Sequence, residues 1–297
     1  MKPVRLLLAL ATTAALGLGA TAAAAKTLNA VASFTVLADV VAQVGGEHVK
    51  VKSLVPPNGD PHDYEPSPQD AQALNAADLT FLSGEGLETW FARLVKASGY
   101  AGKPVIVSRG IRTHKMQEDG KTVTDPHVWN DPLNVVVWVG NIEKALVAAD
   151  PEDAAAFKAN AARYRKELEA LNAYAHKKID AVPRAQRQIL TSHDAFGYFG
   201  KRYGVTFLSP LGLSTETEAS AADVARLIDQ IRREHVKVYF FENSNDPRLV
   251  KQIANATGAQ PGGELYVEAL SPADGPAPTY AKMFRYNVDQ IAAAIAK

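Results

Sequence analysis

The stretch Asp150–Ala181, DPEDAAAFKANAARYRKELEALNAYAHKKIDA, lies near the middle of the chain and decides how the rest is read. It contains no glycine, and its single proline is Pro151, which suits the first position of a helix. Asp150 is placed to act as N-cap, and Glu152 and Asp153 suit the positive end of a helix dipole. Lys177 and Lys178 suit the negative end, and Pro183 follows the stop. Phe157, Ala161, Tyr164, Leu168, Leu171 and Ala175 recur at alternating spacings of four and three, which makes one apolar stripe. The pattern predicts a helix of about 30 residues, about 45 Å long. It reads as a rigid strut between two lobes, stiff enough to keep any hinge motion modest.

On either side of the strut, short β-rich runs alternate with helical stretches. The strand candidates are Leu28–Ser33, Val49–Leu54, Leu79–Leu82, Pro104–Val107, Gln188–Thr191, Val236–Phe241 and Gly263–Val267. Helices are expected over Phe34–Gly45, Ser67–Ala77, Leu87–Ser98, Asn134–Ala149, Ala195–Tyr203, Ala221–Glu234, Pro247–Thr257 and Pro278–Ala296. This alternation predicts α/β layers with mainly parallel sheets. The expected division is 26–149 for a first α/β lobe, 150–182 for the linking helix and 183–297 for a second α/β lobe.

The first residues read as an export signal. Lys2 and Arg5 precede the apolar run Leu6–Gly19, and small residues over Thr21–Ala25 offer a cleavage site near Ala25. The run is short for a membrane span, which needs about 20 apolar residues. Removing 1–25 takes away two cations and no acid, so the balance of 32 basic and 32 acidic side chains moves to −2. Such a chain has no basic field for nucleic acid and no polybasic membrane patch. The chain has no cysteine. That excludes thiolate zinc sites, iron–sulfur clusters and cysteine nucleophiles, and leaves nitrogen and oxygen as the metal donors.

Of the seven histidines, three stand at strand-to-helix junctions, where α/β sheets bind ligands. His62 lies in the proline-flanked loop Pro56–Pro66, His127 in Asp125-Pro126-His127-Val128-Trp129-Asn130-Asp131-Pro132, and His193 in Thr191-Ser192-His193-Asp194-Ala195. Asp125 or Asp131 is placed to orient the His127 ring from behind. Taken singly, a solvated loop histidine, a helix cap or a core histidine would serve as well. As a set, the three are candidate zinc donors, because neutral imidazole is zinc's usual nitrogen ligand. His48, His176 and His235 have blander settings. His114 belongs to the polar loop Arg109–Thr124, where it is placed to meet incoming metal. The local zinc motif H-E-x-x-H is absent.

Several segments together resemble the zinc/manganese family of ABC-transporter solute-binding proteins, cluster A-I. They are Pro61-His62-Asp63-Tyr64-Glu65-Pro66-Ser67, Gly84-Glu85-Gly86-Leu87-Glu88-Thr89-Trp90, Asp125-Pro126-His127-Val128-Trp129, Ser192-His193-Asp194-Ala195-Phe196-Gly197-Tyr198, and Pro278-Thr279-Tyr280 with Asn287. The resemblance implies two α/β lobes joined by a long helix, with metal in the cleft between them. It places the family's first two histidine ligands on His62 and His127. The third position, histidine in zinc-type members and commonly glutamate in manganese-type members, holds His193. The fourth, usually an aspartate before a Leu-Ser pair, holds Glu268 in Val267-Glu268-Ala269-Leu270-Ser271. Asp274 is the rival carboxylate; Glu268 is preferred because it follows the apolar stretch Leu265–Val267, whereas Asp274 sits in a proline- and glycine-rich turn.

The expected function is therefore periplasmic capture of one Zn2+ per chain and its delivery to an ABC permease in the inner membrane. A periplasmic metallochaperone is a further candidate partner, and a monomer is expected. Three neutral imidazoles and a carboxylate suit zinc's tetrahedral preference, whereas manganese favours more oxygen ligands. The alternatives are a manganese-binding member of the same family and, from another class, an exported zinc hydrolase with a zinc-bound water as nucleophile.

Overall fold

The computed structural model describes residues 27–118, 121–212, 215 and 219–296. The export signal expected over 1–25 lies outside the described residues. The first lobe is built from β1 (Leu28–Ala32), α1 (Thr35–Gly45), β2 (Val49–Ser53), α2 (Pro68–Asn75), β3 (Leu79–Leu82), α3 (Phe91–Ser98) and β4 (Val105–Ile106). Its four strands are parallel in the order β2-β1-β3-β4, with Leu28 opposite Val49 and Ala30 opposite Leu79. The chain leaves β1 for β2 on one side and returns for β3 on the other, so a crevice opens at the carboxyl ends of β1 and β3. There Gly84, Glu85 and Gly86 all adopt positive φ, at 93°, 58° and 91°. This left-handed run turns the chain sharply after β3 and suits glycine at its ends.

The second lobe repeats the plan with β7 (Gln188–Leu190), α6 (Gly197–Tyr203), β8 (Thr206–Leu208), α7 (Ala221–Glu234), β9 (Val238–Glu242), α8 (Arg248–Thr257) and β10 (Gln260–Leu265). Its parallel order β10-β9-β7-β8 is the first sheet's order over again, with the switch point between β7 and β9. Between the lobes in sequence come the antiparallel hairpin β5 (Lys115–Glu118) and β6 (Lys121–Thr124), then α4 (Pro132–Ala149) and α5 (Ala154–Ile179). The chain closes with α9 (Tyr280–Ile295).

Helix α5 is the strut. Its 26 residues bury Phe157, Ala161, Tyr164, Leu168, Leu171, Ala175 and Ile179, the stripe read from the sequence extended by one turn. That stripe faces α1 and α4 of the first half and α9 of the second. The helix starts later than expected. Asp150 accepts hydrogen bonds from the N–H groups of Glu152 and Asp153, which caps a turn, and α5 begins only at Ala154. The segment Arg109–Thr124, expected to be a loop, contains the β5–β6 hairpin instead. Strand β8 was not anticipated, and β10 occupies 260–265 rather than 263–267.

One hydrophobic cluster runs from Leu28 through Trp129, Trp138 and Leu168 to Ile295, so both lobes share a core. A smaller cluster of Leu190, Leu227, Ile231, Val236, Val250 and Ile253 lies under α7 and α8. No helix among the described residues is long and apolar enough to cross a membrane.

Candidate metal centre

His62 follows β2 on a loop fixed at several points. Trp90 Nε1 donates to the carbonyl of Pro61 at 2.8 Å, and the His62 N–H donates to Asp60 Oδ1 at 2.8 Å. Just beyond, Ser67 and Asp70 form a capping box at the start of α2, and Tyr64 Oη donates to Asp70 Oδ2 at 2.8 Å. These ties hold the imidazole carrier in one backbone state before any ligand arrives.

His127 lies between β6 and α4 in a segment bound to the second lobe along its length. Tyr198 Oη donates to the carbonyl of Asp125 at 2.9 Å, and Trp129 Nε1 donates to that of Val267 at 2.7 Å. Asn130 Nδ2 donates to the carbonyl of Ala195 at 2.9 Å. Asp131 caps α4 through the N–H of Leu133 and takes Arg202 Nε at 2.8 Å. Of the two carboxylates considered for orienting the His127 ring, Asp125 does so: its Oδ1 lies 2.9 Å from Nδ1 and also accepts the backbone N–H of His127.

His193 follows β7 and Glu268 follows β10, so both come from the carboxyl edge of the second sheet. The structure brings His62, His127, His193 and Glu268 together, each offering one donor atom, with those atoms all within 4.8 Å of one another. Glu268 Oε1 lies 2.7 Å from His62 Nε2, 3.0 Å from His127 Nε2 and 3.4 Å from His193 Nε2. His62 is 5 % exposed, and the other three are fully buried. His193 Nε2 has no hydrogen-bond partner, an arrangement that costs stability unless a ligand takes the lone pair. A tetrahedral zinc with ligands at about 2.0–2.1 Å separates neighbouring donors by about 3.3 Å, comparable with the distances from Glu268 Oε1 to the three rings.

The electrostatics point the same way. Burial lowers the proton affinity of the His127 ring, but the hydrogen bonds and charges of Asp125 and Glu268 outweigh it and hold the pKa at about 9. Burial likewise opposes the His193 cation, and the Glu242 and Glu268 charges overcome it, so this ring too is held above its ordinary value. Burial pushes Glu268 up, and the charges of His62 and His193 reverse that and take it well below the usual carboxylate range. The pocket is thus built to hold positive charge.

Asp274 is exposed in a turn and lies outside the cluster. The ring of His114 packs at a tilt against Tyr198 with centroids 4.1 Å apart, and its Nε2 is 3.5 Å from Asp125 Oδ2. His48 pairs with Asp153 and His176 with Asp180, both away from the cluster. Two contributors escaped the sequence reading. Asp60 binds the His62 N–H, and Glu242, the last residue of β9, lies 2.5 Å from His193 Nδ1. The available signal for Glu242 was positional: it is a carboxylate ending an apolar strand, much as His193 follows β7. A polar cavity of about 590 Å³ opens beside the cluster and is lined by Asp60, Thr215, Ser244, Asn245 and Asp246 among others.

Residues 30–294 match the family described as zinc-uptake complex component A, periplasmic (ZnuA). The iron-binding protein YfeA of Yersinia pestis is 34% identical over 284 residues, 95% of this chain and 91% of the relative. The manganese-binding lipoprotein MntA of Halalkalibacterium halodurans is 33% identical over 271 residues, 91% of this chain and 89% of the relative. The structure of the periplasmic zinc-binding protein TroA from Treponema pallidum superposes with a TM-score of 0.86 at 30% identity, covering 91% of this chain and all of that one. With its fold and its sequence in agreement over nearly the whole length, the chain belongs to the ZnuA family, the metal-binding solute-binding proteins of ABC transporters, which are not enzymes.

Proposed function

We propose that this chain captures one zinc ion with His62, His127, His193 and Glu268 and presents it to its importer. The supporting observation is the donor set: three imidazole nitrogens and one carboxylate oxygen, all from buried side chains, converge on one centre. Zinc is four-coordinate by preference and takes nitrogen readily, while manganese favours oxygen and more ligands. Two carboxylates stand behind the rings of His127 and His193, as metal-bound imidazoles generally require. A second reading is manganese, favoured by the metals named for relatives such as MntA. Competition titration of the metal-free protein with both ions separates the two. Tighter zinc at one ion per chain is expected, and tighter manganese would overturn the assignment.

The lobes divide at 26–149 and 183–297, with 150–182 as the link. Residues 1–25 direct export and are removed, leaving a monomer free in the periplasm. The sequence holds no cysteine on which a lipoprotein's acyl chains could be built. The membrane permease is the receiving partner, and a periplasmic metallochaperone is a candidate donor.

A further inference from the structure

Glu242 is 1 % exposed, and its carboxylate is completely engaged. Oε1 accepts the backbone N–H groups of Ser192 at 2.9 Å and His193 at 3.2 Å. Oε2 lies 2.5 Å from His193 Nδ1 and accepts from Asn245 Nδ2 at 2.7 Å. Among the described residues no lysine or arginine pairs with it; the one basic side chain it meets is the His193 ring. A neutral amide could tie β9 to the turn after β7 just as well, and burying a carboxylate is costly unless its charge is used.

The first lobe supplies the contrast. Glu88 also sits at the crevice of its sheet, buried, but accepts from Ser33 Oγ at 2.7 Å, the Ser83 N–H at 2.7 Å and the Gly84 N–H at 3.1 Å. It meets hydroxyl and amide donors and closes a turn, and burial drives it towards its neutral form. Glu242 instead aims its charge at a ring that faces the centre.

We infer that Glu242 is a positioning residue that sets metal preference by acting through His193. Its carboxylate accepts the Nδ1 proton, so that whenever the ring is neutral the lone pair lies on Nε2, which faces the cluster and has no hydrogen-bond partner there. The same carboxylate charge strengthens the Nε2 donor. A stronger nitrogen donor favours zinc over manganese, because manganese gains less from imidazole and more from oxygen. Asp125 does the corresponding work for His127, whereas no carboxylate pairs with His62 Nδ1 among the described residues. The centre therefore has two reinforced rings and one plain one.

This inference rests on the proposed metal-carrier reading, and the test keeps the two apart. Wild type and Glu242→Gln, both stripped with chelator, are titrated with zinc and with manganese in competition. The His193 tautomer is read from long-range ¹⁵N–¹H correlations in the imidazole-labelled protein at a pH high enough for the ring to be neutral. In wild type, zinc should shift His193 Nε2; if it does not, the metal-carrier reading itself fails. In Glu242→Gln, zinc affinity should fall by about 10–100-fold, manganese should lose less, and the single tautomer should become a mixture. Unchanged zinc affinity, or an equal loss for both metals with the tautomer intact, would reduce Glu242 to a structural tie. Should Glu242→Gln fail to fold by circular dichroism, Glu242→Asp carries the test. It keeps the charge but shortens the reach to Nδ1 and should move the preference and the tautomer the same way to a smaller extent; no movement in either would overturn the inference.

Discussion

At the scale of single residues, the sharpest expectation concerns the carboxylate. Apparent binding energies of about 10–16 kcal/mol for structural zinc, shared among four ligands, give roughly 3 kcal/mol each. Glu268→Gln should then weaken zinc binding by on the order of 100-fold, while Asp274→Asn, in its exposed turn, stays within a few-fold of wild type; isothermal competition titration reads both. The protonation of the centre gives a second expectation. In the metal-free protein His127 is held at about 9, above the ordinary histidine value of about 6.5. A raised folded-state value means that its contribution to stability is complete below about pH 6.5 and is lost as pH rises through about 9. Zinc must displace that proton, so its affinity runs the other way, rising from pH 6 to pH 9 and collapsing in acid. Melting temperatures of the stripped and loaded forms across this window should diverge as pH rises; parallel curves would contradict histidine ligation. The three histidines were legible in the sequence because each sits in a conspicuous loop ahead of a helix, and His62 and His193 also follow the strands β2 and β7. Glu242 was not, because a lone glutamate between Phe241 and Asn243 looks like many strand ends, and its role depends on a ring 49 positions away.

Among the elements, α5 was the most legible, since an apolar stripe sustained from Phe157 to Ala175, about five turns, has no other economical reading. Its start falls later than the sequence suggests because Asp150 and Pro151, which suit an N-cap and a first helical position, are used in the separate turn that Asp150 closes. The β5–β6 hairpin was invisible for a physical reason. Lys115–Glu118 and Lys121–Thr124 carry few apolar residues and pair in a two-stranded ribbon apart from both main sheets, so burial imposed no pattern on the sequence. Strand β8 is three residues long, too short for alternation to register. The stripe on α5 also yields a measurable consequence. Leu168 is fully buried in the core that both lobes share. Leu168→Ala should cost about 2–5 kcal/mol, and because that core is continuous, urea unfolding should remain a single transition that moves as a whole. Two separated transitions would show that the lobes fold independently.

At the scale of the whole molecule, the two sheets face their carboxyl edges towards one centre, and the ties across it are unevenly distributed. The segment from Asp125 to Asp131 is bonded to Tyr198, Ala195, Val267 and Arg202 of the second lobe. On the side of the polar cavity, the lobes are crossed by Thr215 Oγ1 donating to Asp60 Oδ2 at 2.6 Å. Opening is therefore expected on the cavity side. Thr215→Val should speed zinc release several-fold, as loss of a hydrogen bond worth about 1 kcal/mol implies, with capture little changed; a chelator chase in stopped flow measures it. The burial of the four donors has a consequence in time. If capture proceeds at about 10⁷ M⁻¹s⁻¹ and binding is worth about 10–16 kcal/mol, an ion left to itself stays for between seconds and most of a day. Towards the long end of that range the carrier cannot empty by waiting, and the schedule of import passes to whatever docks on it and opens the cavity side.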